Sequence, residues 1–113
     1  MNTTELFKLL SDENRFKIFN MLLVRELCIC DIEAFLDLKQ ANVSKHMIKF
    51  KDLDVVETRK EAQWIYYKVS DRFLKSQELF VDYIKELEVF KQTEEALASY
   101  KLKKACRIEG ESV

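Results

Sequence analysis

Two cysteines separated by a single residue, Cys28 and Cys30, are the side chains best suited to chemistry in this 113-residue chain. An ionised thiol is a strong nucleophile and a soft ligand, so a close pair can join with itself or grip one thiophilic ion in preference to magnesium or calcium. Inside a regular helix, residues two apart point to nearly opposite sides, because each step turns about 100°. The pair must therefore straddle the start of a helix, where the backbone can still bend and the helix dipole favours the thiolate. The plainer reading is two small buried hydrophobes. The third cysteine, Cys106, lies beside Lys103, Lys104 and Arg107 and reads as an inert thiol on a tail or as an extra ligand. An odd cysteine count in a chain long enough to build its own core argues against a disulfide framework. His46 is the one histidine, which excludes within one subunit both a zinc site built from imidazoles and a Ser-His-Asp apparatus with a spare ligand. No Gly-rich phosphate loop is present, so nothing points to an enzyme or to a catalytic cofactor.

A second set of groups is electrostatic. Nineteen basic residues against twenty acidic ones leave a net charge of −1, which excludes a uniformly basic coat for nucleic acid. Residues 39–51 nevertheless hold Lys39, Lys45, Lys49 and Lys51 and no Asp or Glu. A polar helix start, local positive charge and a following hairpin coincide there and point to double-stranded DNA. Gln40, Asn42, Ser44, Lys45 and His46 are the candidates for base edges in the major groove, with Lys49 for phosphates. Thr58, Arg59, Lys60 and Gln63 would lie near a hairpin tip that follows the phosphate backbone or enters the minor groove. The plainer alternative is a solvated charged face.

The elements that must position these groups follow from periodicity, caps and turns. One Gly and no Pro, with 48% apolar residues, disfavour a turn-dense sandwich or barrel and favour helices in one domain spanning residues 1–113. Asn2-Thr3-Thr4-Glu5 has the spacing of a capping box and opens a first short helix. Ser11-Asp12-Glu13-Asn14 interrupts it, and Phe16, Ile18, Phe19, Leu22 and Leu23 continue at helical spacing. A third helix is expected near Asp31, turning Ile32, Phe35 and Leu36 inward. A fourth follows Asp37-Leu38-Lys39-Gln40, with Val43, Met47 and Phe50 on one face. Val55-Val56-Glu57-Thr58-Arg59 and Trp64-Ile65-Tyr66-Tyr67-Lys68-Val69 read as strands joined through Lys60-Glu61-Ala62-Gln63, and adjacent Tyr66 and Tyr67 cannot both point inward. Ser70-Asp71 then caps one long helix, in which Phe73, Phe80 and Leu87 recur every seven residues beside Tyr83, Phe90 and Leu97. So much apolar surface calls for a second copy of the chain, hence a homodimer through the first and last helices; folding back on its own core is the alternative beyond Gln92. Glu78, Asp82, Glu86, Glu88, Glu94 and Glu95 turn this end away from DNA. Residues 92–113 form a terminal extension whose tail frays past Lys101. With no signal peptide and no membrane-spanning run, the chain reads as cytoplasmic. The sum is a mostly α protein with a small β-hairpin, a winged helix-turn-helix.

Three segments carry a family resemblance: Glu26-Leu27-Cys28-Ile29-Cys30-Asp31-Ile32, Gln40-Ala41-Asn42-Val43-Ser44-Lys45-His46-Met47 and Arg59-Lys60-Glu61-Ala62-Gln63-Trp64-Ile65-Tyr66-Tyr67. Over about residues 4 to 90 the sequence resembles the ArsR/SmtB family of metal-sensing transcriptional repressors. The resemblance implies a homodimer on an inverted-repeat operator that falls off when its inducer binds. The cysteine segment is similar to that of arsenite-type members, which implies As(III) or Sb(III) on Cys28 and Cys30. Glu33 stands where a three-cysteine version has its third thiol, leaving Cys106, a small external thiol or no third ligand. The amino-terminal cysteines of cadmium and lead sensors are absent, and Asp82 lacks the histidine partners of zinc sensors. Asp37, Asp54 and Ala62 occupy positions where glycine is frequent; Asp tolerates a left-handed backbone, whereas Ala62 suggests a longer or differently shaped wing turn. Two other readings stand beside this one: a thiol redox or persulfide sensor using a Cys28–Cys30 or Cys28–Cys106 disulfide, and a winged-helix protein-interaction module that binds no DNA.

Overall fold

At the amino end, the Asn2 side chain accepts a hydrogen bond from the Glu5 N–H at 2.8 Å, and the Asn2 N–H donates to the Glu5 carboxylate at 3.0 Å. This reciprocal cap satisfies two N–H groups that the first turn leaves unpaired, and α1 runs Thr3–Leu10. The computed structural model describes residues 2–100. Cys106 and the rest of the expected tail lie outside them. Asp12 caps α2 (Glu13–Val24) through the Arg15 N–H, and α3 (Ile29–Leu36) follows a two-residue strand β1 (Leu27–Cys28). Helix α4 (Gln40–Asp52) leads into β2 (Val56–Glu61) and β3 (Trp64–Val69). All strand pairs are antiparallel, in the order β1-β3-β2. Ile18, Phe19, Met21, Ile32, Val43, Met47, Phe50 and Val55 fill one core in which the inward faces of α2, α3 and α4 meet. Among the described residues, no helix is long and apolar enough to cross a membrane.

Two sequence expectations change in detail, and a third gains one. The third helix begins at Ile29 rather than near Asp31, because the Asp31 carboxylate accepts the Cys28 N–H from the third helical position, at 3.2 Å. The wing turn is tight and not long: β2 extends to Glu61, which pairs with Trp64, and Ala62-Gln63 alone connect the strands. Ala62 takes the cost of this closure with φ at 55°, a region that disfavours a side chain bearing a Cβ, as do Asp37 and Asp54 at 54° and 57°. Tyr66 and Tyr67 do point oppositely, but both are buried. Tyr67 joins the core, while Tyr66 is covered on the other face by the Arg59 guanidinium, 4.6 Å from its ring centre.

The largest change is at the carboxyl end. The expected single helix is three: α5 (Asp71–Ser76), α6 (Glu78–Lys85) and α7 (Glu88–Tyr100). Ser70 caps α5 by accepting the Phe73 N–H, and the path bends at Gln77, whose φ of −123° and ψ of 37° are not helical. Ser76 contributes to the bend, since its hydroxyl donates to the Phe73 carbonyl at 3.2 Å. Breaking the helix lets Phe73 and Phe80 both reach Phe19, with ring centres 5.9 and 6.2 Å away. The last segment then packs on α2 of its own chain, burying Phe90 and Leu97. Much of the heptad stripe is thus consumed internally. Among the described residues, the large apolar side chains left facing solvent on α5, α6 and α7 are Leu79 and Tyr83; Phe7 is exposed on α1.

Candidate metal centre and nucleic-acid interface

Cys28 closes β1 and is the residue before the first turn of α3, while Cys30 sits inside that turn. Cys28 keeps an extended backbone, with φ at −90° and ψ at 168°, while Cys30 is helical, so the two side chains converge as the straddling requires; the Cα atoms are 5.4 Å apart and the sulfurs are joined in a disulfide. Buried Asp31 places a carboxylate oxygen 3.3 Å from the Cys28 sulfur. Both sulfurs and this oxygen lie within 4.8 Å of one another, the one such group of potential ligands among the described residues. Once reduced, the set offers two soft donors and one hard donor, a composition suited to a thiophilic ion.

This cluster is mechanically tied to the parts that would read DNA. Cys28 is paired with Tyr66 and Leu27 with Tyr67, so β1 is the third strand of the wing sheet. A cleft of about 340 Å³ beside the cysteines is lined also by Glu33, by Gln40 at the start of α4, and by Gln63 and Trp64 at the wing turn. The buried Trp64 indole N–H has no hydrogen-bond partner there.

On α4, Gln40, Asn42, Lys45 and Lys49 are exposed and Ser44 partly so. His46, on the flank of that surface, is only partly exposed. Its ring packs against the start of α2, 3.4 Å from an Arg15 guanidinium nitrogen and 4.0 Å from the Asp12 carboxylate. Burial pushes its pKa below the ordinary value, with Asp12 pulling the other way. The Asp12 carboxyl is itself lowered, chiefly by the Arg15 backbone N–H it accepts. In the wing, Lys60 and Gln63 are exposed, but Arg59 is engaged: Glu26 receives it at 2.7–2.9 Å and Glu61 at 2.8 Å. Those hydrogen bonds raise its pKa further, so it is always charged. Sequence reasoning missed Glu26, Asp12 and Arg15 as supports, because each pairs with a residue distant in sequence and no local pattern marks such a pairing.

Residues 12–58 match the family model described as bacterial regulatory protein, arsR family. The cadmium resistance transcriptional regulatory protein CadC of Listeria innocua is 40% identical over 83 residues, which span 72% of this chain and 70% of that relative. The chain belongs to the ArsR family. An arsenical resistance operon repressor of Staphylococcus xylosus is 30% identical over 99 residues, covering 87% of this chain and 88% of the repressor. The structure of HlyU from Vibrio cholerae superimposes with a TM-score of 0.62 at 31% identity, covering 72% of this chain and 88% of HlyU. Membership makes this ArsR-family chain a winged helix-turn-helix transcriptional regulator and not an enzyme.

Proposed function

We propose that this chain is a cytoplasmic homodimeric repressor that occupies an inverted-repeat operator in double-stranded DNA and leaves it when As(III) or Sb(III) is bound by the Cys28 and Cys30 thiolates. The observation that carries the reading is the shared cleft: the two sulfurs straddle the start of α3, with Gln40 of α4 and Gln63 of the wing on the other walls. Two-electron reduction of the Cys28–Cys30 bond by cellular thiols yields two thiols at a helix start, where the dipole favours thiolates. As(III) supplies strong bonds to sulfur; Cys106, a small external thiol or no third thiol completes the set beside the Asp31 carboxylate. Drawing both sulfurs into one ligand set reshapes the first turn of α3 and strains the pairing of Cys28 with Tyr66. Because α3 packs on α4 and β1 on the wing, the reading elements of two protomers lose their register on DNA. A coupling of about 1–3 kcal/mol, usual for allostery, already weakens binding severalfold. On the DNA side, Gln40, Asn42, Ser44 and Lys45 read bases, Lys49, Lys60 and Gln63 meet the backbone, Arg59 joins them when Glu26 releases it, and His46 seats α4 on α2.

The disulfide favours a second reading, in which oxidation or persulfidation of this pair is itself the signal. One experiment separates the two. Duplexes are selected from a randomised pool with the reduced chain, and binding is followed by anisotropy as arsenite, antimonite, cadmium or peroxide is added. Release by arsenite or antimonite, lost in Cys28→Ser and Cys30→Ser while DNA binding persists, supports the first reading. Release by peroxide alone supports the second. No salt-dependent DNA binding at all would refute both and leave a protein-interaction module.

A further inference from the structure

On α4 the buried residues Val43, Met47 and Phe50 define one face, and helical geometry puts Ala41, Ser44, Lys45 and Ile48 together on the opposite one. Ile48 is 57% exposed there, although a buried position would have stabilised it more. Single exposed apolar residues are ordinary on protein surfaces. What distinguishes this one is its setting. It stands between Lys45 and Lys49 in a segment with four lysines and no acid from residue 39 to 51, so a partner bearing dense negative charge is the occupant this face suits. Among polyanions, a DNA major groove also presents an apolar group at the depth of its base edges, the 5-methyl of thymine. Small Ala41 and Ser44 on the same stripe let the helix approach closely enough for that contact.

We infer that Ile48 is a specificity-determining residue that packs on a thymine methyl group in each half-site. The inference rests on the DNA-binding reading above and deepens it. Phe7, Leu79 and Tyr83, the large apolar residues exposed on other helices, lie outside α4 and take no part in it.

The test uses the full reduced chain and duplexes it selects from a randomised pool. Each thymine of the recovered site is replaced in turn by uracil, which removes the 5-methyl and nothing else. The native chain is expected to lose about threefold to tenfold in affinity at one thymine per half-site. Ile48→Ala should bind the thymine site as weakly as the native chain binds the uracil site, and should be indifferent to the replacement. An unchanged helical circular dichroism band and unchanged release by arsenite would show that folding and sensing persist. If selected duplexes bind but no thymine methyl couples to Ile48, this inference is overturned while the DNA-binding reading stands. If no duplex binds in a salt-dependent way, both fall.

Discussion

At the residue scale, His46 shows how position changes a side chain's work. It stands on α4 among groups that point to solvent, yet Asp12, Arg15 and Lys49 form its electrostatic surroundings and burial holds its pKa below 6.5. A histidine that is harder to protonate when folded binds fewer protons than the unfolded chain, so its contribution is complete above about 6.5 and is lost as pH falls through the window beneath. Asp12 adds acid sensitivity in the same sense but lower, below its ordinary 3.8. Thermal melts across pH should therefore show the native chain losing more stability than His46→Gln as pH drops below about 6.5; identical pH profiles would contradict the assigned packing. Glu26 presents the complementary case of a surface carboxylate that occupies Arg59. Because Glu61 also holds Arg59, the double replacement Glu26→Gln with Glu61→Gln should free the guanidinium for phosphate and steepen the dependence of log affinity on log salt by about one per protomer. An unaltered slope would mean that Arg59 stays away from DNA.

At the scale of elements, turns and caps explain where segments begin and end. Asn2, Asp12 and Ser70 announce three helix starts in the sequence and make the expected hydrogen bonds. Ala62 departs from the same logic, because a tight two-residue connection needs a backbone that alanine adopts at a cost. Cross-strand pairing from Val56–Val69 to Glu61–Trp64 outweighs that cost. Ala62→Gly should thus raise stability by about 0.5–1 kcal/mol, read as a shift in urea midpoint with unchanged slope. A loss of stability would show that the turn relaxes differently. The broken carboxyl helix has another cause: one straight rod could not deliver Phe73, Phe80, Phe90 and Leu97 to a core wrapped around α2, so bends at Gln77 and near Glu86 are favoured over helical continuity.

At the scale of the molecule, Phe73, Phe90 and Leu97 are buried, whereas Phe7, Leu79 and Tyr83 remain 60%, 85% and 62% exposed. In the proposed homodimer these side chains form the seam that sets the spacing of two α4 helices on DNA. Leu79→Glu places a carboxylate in that seam without touching the core. Sedimentation should report monomers with native helical content, and affinity for a two-half-site duplex should fall by about a hundredfold or more, since the second half-site is no longer tethered. Dimers that persist unchanged would move the interface elsewhere.

The fold class, the caps, the inward face of α4 and the placing of Cys28 and Cys30 at a helix start were legible in the chain itself, because capping, 3.6-residue periodicity and thiol spacing are local and recur within a few residues. Tertiary structure alone decided that α7 returns to α2, that His46 turns inward, that Tyr66 lies under Arg59, and that Glu26 ties the wing to the cysteine strand. Each of those outcomes depends on which surfaces meet when the core closes, a competition among residues tens of positions apart that no local pattern encodes.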